Sequence, residues 1–277
     1  MVNIFEIDKI ILNGLKEDMP FGDITTDNLI DGTLESEAVL ISKDTGIIAG
    51  IDVAKRVFEI LDKKVFFDKK VEDGQRVKKG EVIAQIRGNT RVLLKGERIA
   101  LNLLQRLSGI ATKTGDLCEK IKDTKSKVVD TRKTTLGFRT LEKYAVKAGG
   151  GYNHRFSLSD GVMIKDNHIK AAGSIKKAIE KVKEKIPHTI KIEVETETLE
   201  QVKEALEAGA DIIMLDNMGV DKMQKAVKII NGKAICEASG NVDSESITDI
   251  AKAGVDIISV GSLTHSVSAF DISMKIK

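Results

Sequence analysis

The sequence predicts an α/β protein: an open, shortened α/β barrel of about six strands, with a smaller α+β, sandwich-like domain at the N-terminus. Three observations carry this. From about Gly109 onward, short runs rich in Val and Ile alternate with segments whose apolar residues recur at the helical period. The phrase Ala208-Gly209-Ala210-Asp211-Ile212-Ile213 returns as Ala253-Gly254-Val255-Asp256-Ile257-Ile258, each copy ending a helix at glycine and then entering a strand. Before about residue 108 this rhythm is missing.

At the start, Phe5, Ile10, Ile11 and Leu15 fall at helical spacing and predict an amphipathic helix. Short strands follow, with turns at Asp44-Thr45-Gly46, Glu72-Asp73-Gly74 and Lys79-Gly80. The stretch Val71–Gly88 resembles half of a biotinyl or lipoyl carrier domain, but no lysine there has the carrier's flanking residues, so only a turn geometry is shared. A connecting helix is predicted over Glu97–Leu107, with Ala100, Leu103, Leu104 and Leu107 facing inward and Arg98, Asn102 and Gln105 on the other face. The division expected is 1–108 for the N-terminal domain with its connecting helix and 109–277 for the barrel, the last residues being free to return to the first domain.

The barrel strands are expected at Lys127–Asp130, Gly161–Lys165, Thr189–Glu195, Asp211–Asp216, Lys233–Glu237 and Asp256–Val260. They lack strict alternation, as strands buried on both faces do. Between them, Ile175, Ala178, Ile179, Val182 and Ile186 make one apolar stripe, and Leu199, Val202, Ala205 and Leu206 another. Thr198 and Gln201 read as a capping box, and Gly209 as a left-handed helix end. A complete eight-unit barrel takes ~250 residues, so the space from Ser126 to Ser262 holds a shortened one; an open doubly wound sheet is the alternative.

Composition narrows the function. Lys and Arg total 44 against 42 acidic residues, a net charge of +2, which argues against a nucleic-acid partner. Cys118 and Cys236 stand far apart, form no metal-ligand cluster and read as packing. No basic leader precedes an apolar stretch, and no apolar run approaches ~18 residues. A cytoplasmic protein without a membrane partner is expected.

Ligands of parallel α/β folds bind at the carboxyl ends of the strands. There this sequence places Asp130-Thr131-Arg132-Lys133, His154-Arg155, Lys165 with Asp166-Asn167-His168, Glu195, Asp216-Asn217, Ser239-Gly240-Asn241 and Val260-Gly261-Ser262. Any one of these could be a solvated loop charge. So many cations and acids at one barrel mouth, however, would repel or lose solvation unless a ligand used them or they paired with one another. The glycine-bearing ends 239–241 and 260–262 suit a phosphate held by main-chain N–H groups. Arg132, Arg155, Lys133 and Lys165 exceed what one phosphate needs, and arginine suits planar carboxylates. Glu195 and Asp216 suit sugar hydroxyls or a divalent cation. Together they describe a phosphorylated sugar pyrophosphate and an anionic acceptor.

The runs Asp130–Thr135, Gly149-Gly150-Gly151-Tyr152-Asn153-His154-Arg155 and Ile164-Lys165-Asp166-Asn167-His168 closely resemble quinolinate phosphoribosyltransferases. The likeness runs nearly end to end, from Gly22-Asp23-Ile24-Thr25-Thr26 through Glu97–Asn102, Leu107–Thr112, Glu193-Val194-Glu195, Leu215-Asp216-Asn217 and Glu237-Ala238-Ser239-Gly240 to Ser259-Val260-Gly261. The resemblance implies a homodimer that joins quinolinate and phosphoribosyl pyrophosphate with Mg²⁺, giving nicotinate mononucleotide, pyrophosphate and CO₂. It implies that Arg132, His154, Arg155 and Lys165 bind the two carboxylates, with Thr131 beside them. Lys133 and His168 would contact the donor, and Arg98 would reach the partner subunit's site. Glu195 and Asp216 would hold ribose hydroxyls and, directly or through water, Mg²⁺. Lys133, Lys165, Glu195 and Asp216 are the catalytic candidates. Leu136 and Asn241 depart from the family's usual proline and glycine. A relative with another anionic acceptor, a nicotinate phosphoribosyltransferase and a non-catalytic phosphate-sugar sensor are the rival readings.

Overall fold

The structure, a computed structural model, describes residues 3–277. In chain order its elements are α1 (Ile4–Asp18), α2 (Ile24–Leu29), β1 (Glu35–Ser42), β2 (Gly46–Ile47), α3 (Ile51–Leu61), β3 (Phe66–Lys69), β4 (Arg76–Val77), β5 (Val82–Asn89) and α4 (Thr90–Lys120). Then come β6 (Lys127–Val129), α5 (Arg139–Ala148), β7 (Val162–Ile164), α6 (Asp166–Ala172), α7 (Ile175–Lys183), β8 (Ile192–Thr196) and α8 (Leu199–Glu207). The chain ends with β9 (Ile212–Asp216), α9 (Val220–Ile230), β10 (Ile235–Ser239), α10 (Ile247–Lys252), β11 (Ile257–Ser259), α11 (Ser262–His265) and β12 (Ile272–Ile276).

Two compact units share these elements, and neither is continuous in sequence. Among the described residues, the first comprises 3–115, 134–150 and 266–277; the second comprises 116–133 and 151–265. The single helix α4 runs straight through the expected division at 108/109 and on to Lys120.

In the first unit, an antiparallel sheet in the order β12-β1-β5-β3 is accompanied by the pair β2-β4. The C-terminal strand β12 lies along β1, from Ala38 opposite Ile276 to Ser42 opposite Ile272, so the tail does return to this unit. Asp73, in the turn foreseen at 72–74, receives the N–H groups of Gly50 and Ile51 at 2.9 and 3.0 Å and so caps the start of α3. The inward stripe of α4 is as expected, with Ala100, Leu103, Leu104 and Leu107 buried. Residues 134–150 belong here because Arg106 of α4 donates through Nε to buried Glu142 of α5 at 2.9 Å. Phe5 departs from expectation: Ile11 and Leu15 carry the core face of α1, while Phe5 is 79% exposed.

The second unit is a six-stranded parallel sheet in the order β6-β11-β10-β9-β8-β7. It curls into an open barrel, since side chains from beside both edge strands line one cavity. At the seam between β6 and β7, Tyr152 makes a single parallel bridge to Val129, its N–H donating to the Val128 carbonyl at 2.9 Å. The strands are buried because helices cover them, through Ile175, Ala178 and Ile179 of α7, Val202 and Ala205 of α8, and Met223, Ala226 and Ile230 of α9. The Thr198–Gln201 capping box forms, and Gly209 and Gly254 end their helices at φ 76° and 93°. Among the described residues, no helix is long and apolar enough to cross a membrane.

Candidate active site

Alternation along each parallel strand decides which side chains enter the barrel. Steps of two residues place Met163 of β7 and Lys165 just past its end, Glu193 and Glu195 of β8, Met214 and Asp216 of β9, and Glu237 and Ser239 of β10 on one face. A cavity of about 730 Å³ opens at the carboxyl ends of these strands. Thr131, Arg132, Lys133, His154, Arg155 and Lys165 line it around the seam between β6 and β7. Glu195 and Asp216 follow on β8 and β9, then Ser239, Gly240 and Asn241 after β10 and Gly261 and Ser262 after β11.

Two of the cations are held by a main-chain carbonyl, a thioether and a carboxylate. Arg155 donates Nη1 to the Gly161 carbonyl at 2.9 Å and Nη2 to Met163 Sδ at 3.5 Å. Burial, then the like charge of Arg132, pulls its pKa below the ordinary arginine value, so an incoming anion relieves repulsion already present. Lys165 Nζ pairs with Glu195 Oε2. At the end of β6, Thr131 Oγ1 accepts the Lys133 N–H at 3.0 Å, and the Lys133 carbonyl accepts the Thr264 hydroxyl at 2.7 Å. Gly261 lacks a side chain where a Cβ would lie 3.1 Å from Lys133 Cδ and 3.3 Å from the His265 ring.

Beneath this rim lies a polar layer. Buried Asp130 accepts the His154 N–H at 2.9 Å, and the ring's Nε2 lies 3.2 Å from Glu193 and 3.5 Å from Glu237. Burial works against a charged ring, but hydrogen bonds and charge from the two glutamates outweigh it and raise the pKa to about 10. Burial also raises the Glu193 carboxyl, against the opposing pull of His154. The Arg155 N–H donates to Nδ1 at 2.8 Å, which works against a doubly protonated ring. With either the ring or a glutamate carrying it, the triad keeps one proton at neutral pH that the free side chains would lose. These three side chains are the metal-compatible cluster among the described residues. The donor on Nδ1, however, places the neutral ring's proton on Nε2, the atom a metal would need.

Glu195 and Asp216 were the residues expected at a magnesium ion. Both line the mouth, on adjacent strands, where a substrate's phosphates would complete an oxygen set. Glu195 is already neutralised by Lys165 and Asp216 accepts Asn217 Nδ2 at 2.8 Å, so the fit is to an ion sharing these carboxylates with water and substrate.

Three expected residues stand elsewhere. Val260 is core, its N–H spent on the Val129 carbonyl at 2.9 Å, so it adds nothing to a phosphate loop. His168 is exposed on α6, where its Nδ1 accepts the Lys165 N–H at 2.9 Å. Arg98 is exposed on α4, in the first unit. The cysteines are free; Cys118 is only half-buried, and burial pushes the Cys236 thiol up to about 12. Sequence reasoning missed Glu193 and Glu237, although both stand two residues before a strand-end residue and therefore on its face. It also assigned no role to Met163, Met214, Asn217 or His265, all of which line the cavity.

The N- and C-terminal domain models of quinolinate phosphoribosyl transferase match residues 23–108 and 110–275. The chain belongs to the quinolinate phosphoribosyltransferase family. A probable carboxylating nicotinate-nucleotide pyrophosphorylase of Bacillus subtilis is 46% identical to it over 275 residues, spanning 99% of this chain and 95% of that protein. A decarboxylating mitochondrial quinolinate phosphoribosyltransferase of Nicotiana glauca is 40% identical over 291 residues, spanning 98% and 82%. The crystal structure of NadC from Streptococcus pyogenes superposes with a TM-score of 0.97 at 43% identity, covering 100% of this chain and 98% of that one. In this quinolinate phosphoribosyltransferase, Thr131, Arg132, Lys133, His154, Arg155, Lys165, Glu195 and Asp216, which the resemblance singles out, line one cavity.

Proposed function

We infer that this chain transfers the phosphoribosyl group of phosphoribosyl pyrophosphate to the ring nitrogen of quinolinate in NAD biosynthesis, with nicotinate mononucleotide, pyrophosphate and CO₂ as products. Family membership supports the reaction. The observation that carries the substrate assignment is the gathering of Arg132, Arg155 and Lys165 in one cavity. Their number suits an acceptor with two carboxylates.

We read the division of labour from the residues that line the cavity. The seam cations hold quinolinate with its nitrogen toward the ribose, and Arg155, fixed by the Gly161 carbonyl, offers its fork to a carboxylate. Glu195 and Asp216 meet the ribose hydroxyls, and the ends 239–241 and 261–262 meet the 5′-phosphate. As the C1′–pyrophosphate bond breaks, the ribose gains cationic character and Lys133 offsets charge on the departing group. The nitrogen's lone pair forms the new bond. The carboxylate on the neighbouring carbon then leaves as CO₂, its bonding pair drawn toward the cationic ring, and a proton takes its place. Catalysis is mainly positioning and charge stabilisation, and no side chain forms a covalent bond. Bound Mg²⁺, shared by Glu195 and Asp216 with the donor, would neutralise phosphate charge.

The enzyme works as a homodimer, with Arg98 donated to the partner subunit's site. Exposed Ile4, Phe5, Leu12, Phe21, Ile24 and Leu29 on and between α1 and α2 support an apolar interface, and exposed Arg98 is free to serve a second subunit. Two free thiols suit the cytoplasm. The assay is direct: quinolinate, phosphoribosyl pyrophosphate and Mg²⁺ should yield CO₂ and nicotinate mononucleotide, and absence of both products refutes the reading.

A further inference from the structure

Among the described residues, three other than glycine have positive φ: Asn217 at 51°, Asn231 at 44° and Asn241 at 47°. Asn231 ends helix α9, a common place for this conformation. Asn217 and Asn241 instead line the active-site cavity, where a left-handed residue has to be held by its surroundings. Asn217 is held on every side. Its N–H donates to the Ser239 carbonyl at 2.9 Å, tying the end of β9 to the end of β10. Its Nδ2 donates to Asp216 Oδ2 at 2.8 Å. Its Oδ1 faces Asn241 Nδ2 at 3.4 Å.

Gly240 lies against the same side chain. At φ 102°, a Cβ on Gly240 would stand 2.6 Å from Asn217 Cγ and 3.0 Å from its main-chain nitrogen. The glycine is therefore required by Asn217 as well as by its own backbone angle. One amide thus touches the carboxylate assigned to the ribose and lies against Gly240 and Asn241 of the loop assigned to the 5′-phosphate.

We propose that Asn217 is a positioning residue for the phosphoribosyl donor, holding the Asp216 carboxylate and the Ser239–Asn241 loop at a fixed separation. The proposal rests on the assignment of this half of the cavity to the donor. By binding Oδ2, the amide leaves Asp216 Oδ1 turned to the ribose, and by meeting Asn241 it sets how far the phosphate lies from that oxygen. These bonds run among Asn217, Asp216, Ser239 and Asn241, so the acceptor half around Arg132 and Arg155 should be left unaffected.

Steady-state kinetics on Asn217→Ala and Asn217→Asp test this, with ribose 5-phosphate as a competitive probe of the donor half. Asn217→Asp keeps the shape and the acceptor facing Asn241, but removes the donor to Asp216 and sets two carboxylates side by side. Both variants should raise the KM for phosphoribosyl pyrophosphate and the Ki for ribose 5-phosphate about tenfold or more, as expected for loss of a hydrogen bond to a charged group, with the quinolinate KM changed less than about twofold. In an Asp216→Ala background, Asn217→Ala should cost clearly less than it does alone, because it acts largely through Asp216. A quinolinate KM rising in step with the donor KM, full additivity with Asp216→Ala, or unchanged donor constants would each overturn the proposal. If Asn217→Ala does not fold, Asn217→Asp decides alone. If ribose 5-phosphate does not compete with the donor in the unaltered enzyme, the donor assignment falls and the proposal with it. Competition that both variants leave intact defeats the proposal only.

Discussion

At the scale of single residues, the proposed reading gives anion recognition to the seam cations and sugar recognition to Glu195 and Asp216. Arg132→Ala and Arg155→Ala remove a carboxylate partner each, and should raise the quinolinate KM far more than the donor KM. The cost is about 2 kcal/mol or more for each, because the remaining cations were arranged around a dianion. The same surplus of positive charge predicts acceptor choice: nicotinate, with one carboxylate, should be turned over at least about a hundredfold less efficiently, since it leaves a desolvated cation unmatched. Equal kcat/KM values for the two acids would defeat that reading. His154 adds a pH dependence. Its pKa is raised from 6.5 to about 10 in the folded chain, so the folded state binds this proton more tightly than the unfolded one. The stabilisation is therefore complete below about pH 6.5 and fades as pH rises toward 10. Urea unfolding of the wild type across this window should show the loss, and His154→Gln should flatten that part of the profile.

At the scale of elements, close approach sets the geometry more often than any single strong bond. Helix α4 carries Gly109 where a Cβ would collide with the Ser268 carbonyl oxygen of the returning C-terminal segment, and Phe270 N lies 3.4 Å away. Gly109→Ala should cost about 1–3 kcal/mol by overpacking, despite alanine's better helix propensity, and should lower Tm measurably. An unchanged or higher Tm would mean that the segment shifts freely. Strand ends show the complementary principle. Asn241 accepts the left-handed backbone at φ 47° that its position requires, so asparagine replaces the family's usual glycine there without breaking the loop. Val260, two residues from Ser262 in sequence, ties β11 to β6 through its N–H on the Val129 carbonyl and buries its side chain in the core.

At the scale of the whole molecule, the proposed dimer makes a prediction that no single-chain account shares. Arg98→Ala and Arg155→Ala subunits should each be inactive alone. Mixed and allowed to exchange, half of the dimers are heterodimers, and in each of these one site receives both intact arginines. Activity should return to about one quarter of wild type at equal mixing. No recovery, with exchange shown by mass spectrometry of the mixed dimer, would put Arg98 outside a shared site.

Much was legible in the residues alone. Six short apolar runs, glycines at helix ends and the Thr198–Gln201 box determined the parallel barrel, because periodicity and backbone sterics act locally. The polar residues ending those runs located the mouth of the cavity, because parallel strands deliver their ends to one side. Three things needed the tertiary structure. The buried Glu193–His154–Glu237 layer joins residues from three separate segments, and only folding places them within hydrogen-bonding reach. The return of β12 to β1, and of residues 134–150 to the first unit, depends on pairings between positions far apart in the chain, which no local pattern encodes. The tie of Asn217 to Asp216, Ser239 and Asn241 depends on which strands are neighbours, and strand order is settled by how helices and sheet pack together rather than by any one segment's preference.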